Sequence, residues 1–170
     1  LEEAYSQGGF PWYSEGQPVL WWSPDPRMVL LVDEFRLKRS LRKTIAAFIR
    51  NAGCQIRIDS VFGDVIQACA LTPRNGQDGT WIAPEIIAAY SALHDAGRAH
   101  SVETWIDGEL VGGLYGVGVG ALLFGGPMFP PRNDESKIAL AAASDLSRAH
   151  GTPAPSAQRG HPPTARLRAH

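Results

Sequence analysis

The sequence predicts an α+β protein in which helices pack on a central, mainly antiparallel sheet. Three observations carry that expectation. Asp107-Gly108 is a two-residue turn signal between Ser101–Ile106, which alternates, and the apolar run Leu110–Val117, so these segments read as a β-hairpin. Across residues 40–51, Leu41, Ile45, Phe48 and Ile49 recur at helical spacing with basic residues on the other face. Across residues 85–97, Ile86, Ile87, Tyr90 and Leu93 form a second helical face, with Pro84 suited to a first turn and Gly97 to a stop.

The remaining elements follow in order. Residues 1–30 are dense in Pro, Gly and Trp, and repeated proline forbids a continuous helix, so a small subdomain of loops and short strands is expected there. After the first helix, Cys54 to Asp59 alternates like a half-buried strand. Residues 61–71 resume a helical pattern, and 72–79 form a Gly- and Asn-containing loop. Beyond the hairpin, Ala121 to Phe124 extends the sheet. Residues 135–150 read as a helix with Ile138, Leu140, Ala141 and Leu146 inward. Residues 152–170 are rich in Pro, Ala, Arg and His, with Leu167 their single large aliphatic residue, which predicts a loosely attached tail and a sheet lacking its C-terminal element. The predicted division is therefore 1–30, 31–151 and 152–170.

A chain of 170 residues, 44% apolar and 19% charged, can bury the core of one ordinary domain. No apolar run reaches a membrane span, because Leu110 to Phe124 is interrupted by repeated glycines. Leu1-Glu2-Glu3 is acidic where a secretory segment would be basic, so a cytoplasmic monomer is expected. Cys54 and Cys69 stand far apart without ligand spacing; two buried free thiols are expected, with no metal site. His94, His100 and His150 read as structural. Charge is nearly balanced overall, at −1, yet Arg36, Lys38, Arg39, Arg42 and Lys43 concentrate five positive groups in eight residues.

Five blocks occur in one order: Phe10-Pro11-Trp12-Tyr13-Ser14, Trp21-Trp22-Ser23-Pro24-Asp25-Pro26-Arg27, Gly79-Thr80-Trp81-Ile82, Ala99-His100-Ser101-Val102-Glu103-Thr104-Trp105, and Glu109-Leu110-Val111-Gly112-Gly113-Leu114-Tyr115-Gly116-Val117. Through them the chain resembles the bacterial leucyl/phenylalanyl-tRNA protein transferases over residues 1–151. The resemblance implies an acetyltransferase-like domain behind a small N-terminal one. It also implies an activity without a cofactor: transfer of Leu, Phe or Met from aminoacyl-tRNA to proteins beginning with Lys or Arg, marking them for degradation. By family position, Trp12 and Trp81 would sandwich the terminal adenosine, an aromatic stack worth about 1 to 3 kcal/mol per base. Trp21, Trp22 and Trp105 read instead as core or wall. Leu114 and Met128, with Tyr90 and Leu123 nearby, would line an apolar side-chain pocket. The basic run Arg36 to Lys43 would meet tRNA phosphates. Gly112-Gly113 would permit close backbone approach to a ligand or mark a bulge.

The chain departs from the family pattern at two places. Gly125-Gly126-Pro127-Met128-Phe129 stands where the family carries Gly-Glu-Ser-Met-Phe, so Gly126 replaces a carboxylate and Pro127 removes a backbone donor. The family's Asp-Cys-Gln falls on Ser156-Ala157-Gln158, which leaves Gln158 as the one catalytic position matched, by spacing alone. Two other readings follow: a chain that binds the aminoacyl-tRNA end without transfer, and an acetyl-CoA-dependent enzyme. Against the second, no glycine-rich loop opens a helix suited to pyrophosphate.

Overall fold

The computed structural model describes residues 36–72, 84–119, 122–130 and 134–149, with residues 3, 9–11, 18–22, 28–29, 156–157 and 168–169. The elements run β1 (Phe10–Pro11), β2 (Trp21–Trp22), β3 (Met28–Val29), α1 (Arg39–Arg50), β4 (Cys54–Ile58), α2 (Phe62–Leu71), α3 (Pro84–Asp95), β5 (Ala99–Ile106), β6 (Glu109–Val119), β7 (Leu122–Phe129), α4 (Asp134–Ala149), β8 (Ser156–Ala157) and β9 (Arg168–Ala169). From α1 to α4 this is the order the periodicities predict. β4, β5, β6 and β7 form an antiparallel meander in sequence order. The hairpin turn has Asp107 at φ 51 and Gly108 at φ 83, the pair of positive values that a type I′ turn requires.

The edge expected to be vacant is occupied, because β8 pairs in parallel with β7, Phe124 opposite Ser156 and Gly125 opposite Ala157. β9 likewise pairs antiparallel with β3, so the tail contributes two short pairings that its composition did not suggest. Backbone pairing needs no apolar side chains, and hydrophobic patterning is blind to it.

Alternation along β5 and β6 sends side chains to two faces, each covered by a helix pair. On one face Tyr115, Val117 and Ala99 pack with Phe62, Val65, Ile66 and Cys69 of α2 and with Ile86 and Tyr90 of α3. On the other, Val102 and Leu114 pack with Ala139 and Ala143 of α4, while Leu41 and Phe48 of α1 close over Ile138. α3 stops as its sequence suggests: Gly97 at φ 72 lets Gly97 N–H reach the His94 carbonyl and Arg98 N–H the Leu93 carbonyl, a Schellman closure.

Several burial expectations are corrected. Ile49 is 75% exposed, because α1 buries a narrower stripe than its apolar residues would allow. Leu140 and Leu146 are half-buried, and the closest contacts of α4 are alanines. Cys54 is half-buried and only Cys69 is enclosed. Trp21 is 51% exposed on the β1–β2 pair and is no core residue. Among the described residues no helix is long and apolar enough to cross a membrane.

Candidate functional site

The sheet is irregular where β6 passes β7. Leu114 lies opposite Met128 and Gly116 opposite Gly125, so Gly126 and Pro127 on β7 together face Tyr115 alone. Two residues against one is a β-bulge, and a proline, which has no N–H to give a ladder, is tolerated in a sheet at such a place. The two positions at which the sequence leaves the family pattern thus coincide with the break in pairing. β8 meets β7 directly before the bulge, with Ser156 opposite Phe124 and Ala157 opposite Gly125, so Ser156 lies two residues short of Gly126 in the register.

Of the expected pocket residues, Leu114 and Met128 are cross-strand partners on the face covered by α4, with Leu114 only 4% exposed. Tyr90 lies on the opposite face, its ring 5.2 Å from that of Tyr115 at 69°. Leu114 and Tyr115 are adjacent in one strand and point to opposite sides, so Leu114 and Tyr90 do not share a wall. Leu123 pairs with Gly118 further along β7. Trp12, Trp81, Gln158 and His150 lie outside the described residues.

Gly112 and Gly113 serve packing. A Cβ on Gly112 would meet Glu135 Cβ at 2.8 Å and the Glu135 carbonyl carbon at 2.9 Å, so the first turn of α4 rests directly on this backbone. Thr104 Oγ1, beside it in the sheet, donates to the Glu135 carbonyl at 2.8 Å. A Cβ on Gly113 would lie 3.1 Å from the Phe129 ring.

Sequence reasoning missed the polar cluster under the other face. Glu103 of β5 is fully buried and accepts from Ser60 N–H at 3.0 Å, Val61 N–H at 3.1 Å, Ser101 Oγ at 2.7 Å, Trp105 Nε1 at 3.3 Å and the Ser60 hydroxyl. Burial alone would raise its carboxyl, but the bonds from Ser60, Ser101, Val61 and Trp105 outweigh it and hold the group below the ordinary carboxylate value. α2 has no side-chain cap of its own, and this carboxylate takes the donors leading into its first turn. Next to it Asp59, at φ 55, accepts from Ser101 N–H at 2.8 Å and from His100 Nδ1 at 2.7 Å. His94 donates Nδ1 to the Ala99 carbonyl at 2.8 Å and stacks on Phe62 at 4.3 Å, so hydrogen bonds hold both histidine rings in place. The available signal was a glutamate at an inward position of an alternating strand, between Ser101 and Trp105.

Arg36, Lys38, Arg39, Arg42 and Lys43 are all exposed, and among the described residues none pairs with a carboxylate. α1 has no acid in its first turn, carries its basic residues in its first half and at Arg50, and exposes Ala46, Ala47 and Ile49 between them. Among the described residues no cluster of His, Cys, Asp and Glu suits a metal ion.

Together the helix-backed meander, the break in β6–β7 pairing beside an apolar pair, and the exposed basic residues of α1 define an α+β protein. The chain belongs to the leucyl/phenylalanyl-tRNA protein transferase family: that family's model matches residues 29–169, and the model of its N-terminal domain matches residues 1–25. The match runs past Gly151, where the motif resemblance ended. The chain is 63% identical over 150 residues to the leucyl/phenylalanyl-tRNA protein transferase of Leptothrix cholodnii, covering 88% of this chain and 59% of that protein. It is 61% identical over 150 residues to that of Methylibium petroleiphilum, covering 88% and 57%. Identity to that of Albidiferax ferrireducens is 57% over 167 residues, covering 98% and 66%. The chain thus spans about three-fifths of the length of the relatives it matches.

Proposed function

We propose that this chain transfers a leucyl, phenylalanyl or methionyl group from aminoacyl-tRNA to proteins whose N-terminal residue is Lys or Arg, marking them for degradation in the cytoplasm. The family match over residues 29–169 is the observation that carries the reading. In the reaction the acceptor's α-amine attacks the ester carbonyl; a C–N bond forms, the C–O bond to the ribose breaks, and one proton passes from the amine to the departing oxygen. The protein's task is to align two groups and manage that proton.

The apolar pair Leu114 and Met128 supports a side-chain pocket, where hydrophobic contact discriminates by about 1 to 3 kcal/mol per methylene. Its position beside the bulge supports an opening there for the ester. Trp12 and Trp81 are assigned to the adenosine and Leu123 to a more distant wall, whereas Tyr90, on the opposite face of the sheet, is left out of the pocket. Arg36, Lys38, Arg39, Arg42 and Lys43 are assigned to phosphates, which fits their exposure. With Gly126 and Ser156 at the family's acidic positions, Gln158 is left to orient the carbonyl. The acetyltransferase-like fold, the division into 1–30, 31–151 and 152–170, and a monomeric state belong to the same proposal.

Incubation with labelled Leu-tRNA and an acceptor beginning with Arg tests it. Label on the acceptor is the expected result; tRNA bound without transfer would mark a chain that keeps only the binding half of the activity.

A further inference from the structure

We propose that Arg57 is an anion-binding residue that takes a phosphate of the RNA partner, on the face of the sheet opposite α1. This rests on the reading that the partner is an RNA. Cys54 and Ile56 of β4 turn toward α1 and α4, so Gln55 and Arg57 between and beyond them point the other way, and both are exposed. There the guanidinium carbon lies over the Trp105 ring, 4.3 Å from its centre. Its Nε and Nη2 both donate to Gln55 Oε1, at 3.1 and 3.0 Å.

The arrangement fixes the group from below and from one edge and leaves Nη1 outward. What fixes it is neutral, an indole and an amide, and among the described residues no carboxylate makes an ion pair with it. Glu103, its partner in the β4–β5 register, is occupied by donors beneath the strand, and Asp107 and Glu109 lie at the far end of the hairpin. An immobilised guanidinium loses little freedom on binding, and its planar fork matches a phosphate. Charge sign selects the ligand: an acceptor chain beginning with Lys or Arg would be repelled, and an RNA backbone attracted.

Binding of uncharged bulk bacterial tRNA to the whole protein, measured over a series of salt concentrations, tests this. Arg57→Gln is expected to weaken binding and reduce the slope of log K against log salt by about 0.9, one phosphate contact, with an unchanged melting temperature. Gln55→Glu, which keeps the arginine but neutralises it, is expected to do the same, and Arg57→Lys to retain the slope. Arg42→Gln on α1 is the internal reference. An unchanged slope in Arg57→Gln beside a reduced one in Arg42→Gln would overturn the Arg57 assignment alone. Failure of the unaltered protein to bind tRNA would overturn it together with the RNA reading.

Discussion

Glu103 shows at a single residue how this protein joins distant segments. Its oxygens collect Ser60 and Val61 from the entry to α2, Ser101 from its own strand and the Trp105 indole, so removing it strands several donors, of which Ser101 is fully buried. A buried polar group left unsatisfied costs about 1 to 3 kcal/mol, and Glu103→Ala is therefore expected to lose about that much in urea unfolding. The bonds to Glu103 hold its carboxyl below the ordinary glutamate value in the folded chain, so the folded state favours the ionised form. That contribution is complete above pH 4.5 and is lost as pH falls from there through the folded value. Urea midpoints measured from pH 7 downward are expected to drop in that acid window for the unaltered protein and to be flatter for Glu103→Gln, which carries no titrating group. Equal steepness for the two proteins would show that the acid sensitivity comes from elsewhere.

Between elements, the seat of α4 on the sheet depends on a missing side chain. Gly112→Ala puts a methyl within 3.0 Å of helix backbone at Glu135 and Ser136, which cannot yield as a flexible side chain would. Overpacking of this kind costs about 1 to 3 kcal/mol, and thermal melting should register it. Gly118→Ala in the same strand is the contrast, since its Cβ would meet only the Arg98 carbonyl at 3.8 Å; little loss is expected there. A comparable loss at both positions would mean that strand glycines matter for backbone reasons rather than for the helix. The contrast also explains what was legible at this scale. α1, the Asp107-Gly108 hairpin and the Gly97 stop were readable because each signal is local: a repeat of three or four residues, a turn dipeptide, a glycine after an apolar face. The burial of Glu103 was not, because two of the donors that make it tolerable, Ser60 and Val61, lie 43 and 42 residues away in the chain. Nor was the reason for Gly112, since a strand glycine does not announce which helix will rest on it. β8 and β9 escaped because their pairing is made by backbone alone.

For the molecule as a whole, the proposed site was legible in parts, and the parts divide by physical cause. The basic residues of α1 are exposed as a charged helical face must be, whereas Tyr90 and Leu114 fell on opposite sides because a list of pocket positions carries no information about which face of a strand each occupies. The family resemblance puts a missing carboxylate at Gly126, which lies on the bulge. If the family's carboxylate there aligns the amine with the ester, its absence leaves alignment weakened while the cationic helix and the apolar pair still hold the substrate. Gly126→Glu is then expected to raise kcat for leucyl transfer by about tenfold or more, about 1.4 kcal/mol of transition-state stabilisation, with little change in KM for Leu-tRNA. Arg42→Gln should do the reverse, raising KM more as salt increases while leaving kcat nearly constant. Restoring the carboxylate without a gain in kcat, in a protein whose KM responds to Arg42→Gln, would place the deficiency at the strand bearing Ser156. Ser156→Asp would then be the substitution expected to recover the rate, because it returns a proton-accepting group to the strand that pairs with β7 directly before the bulge.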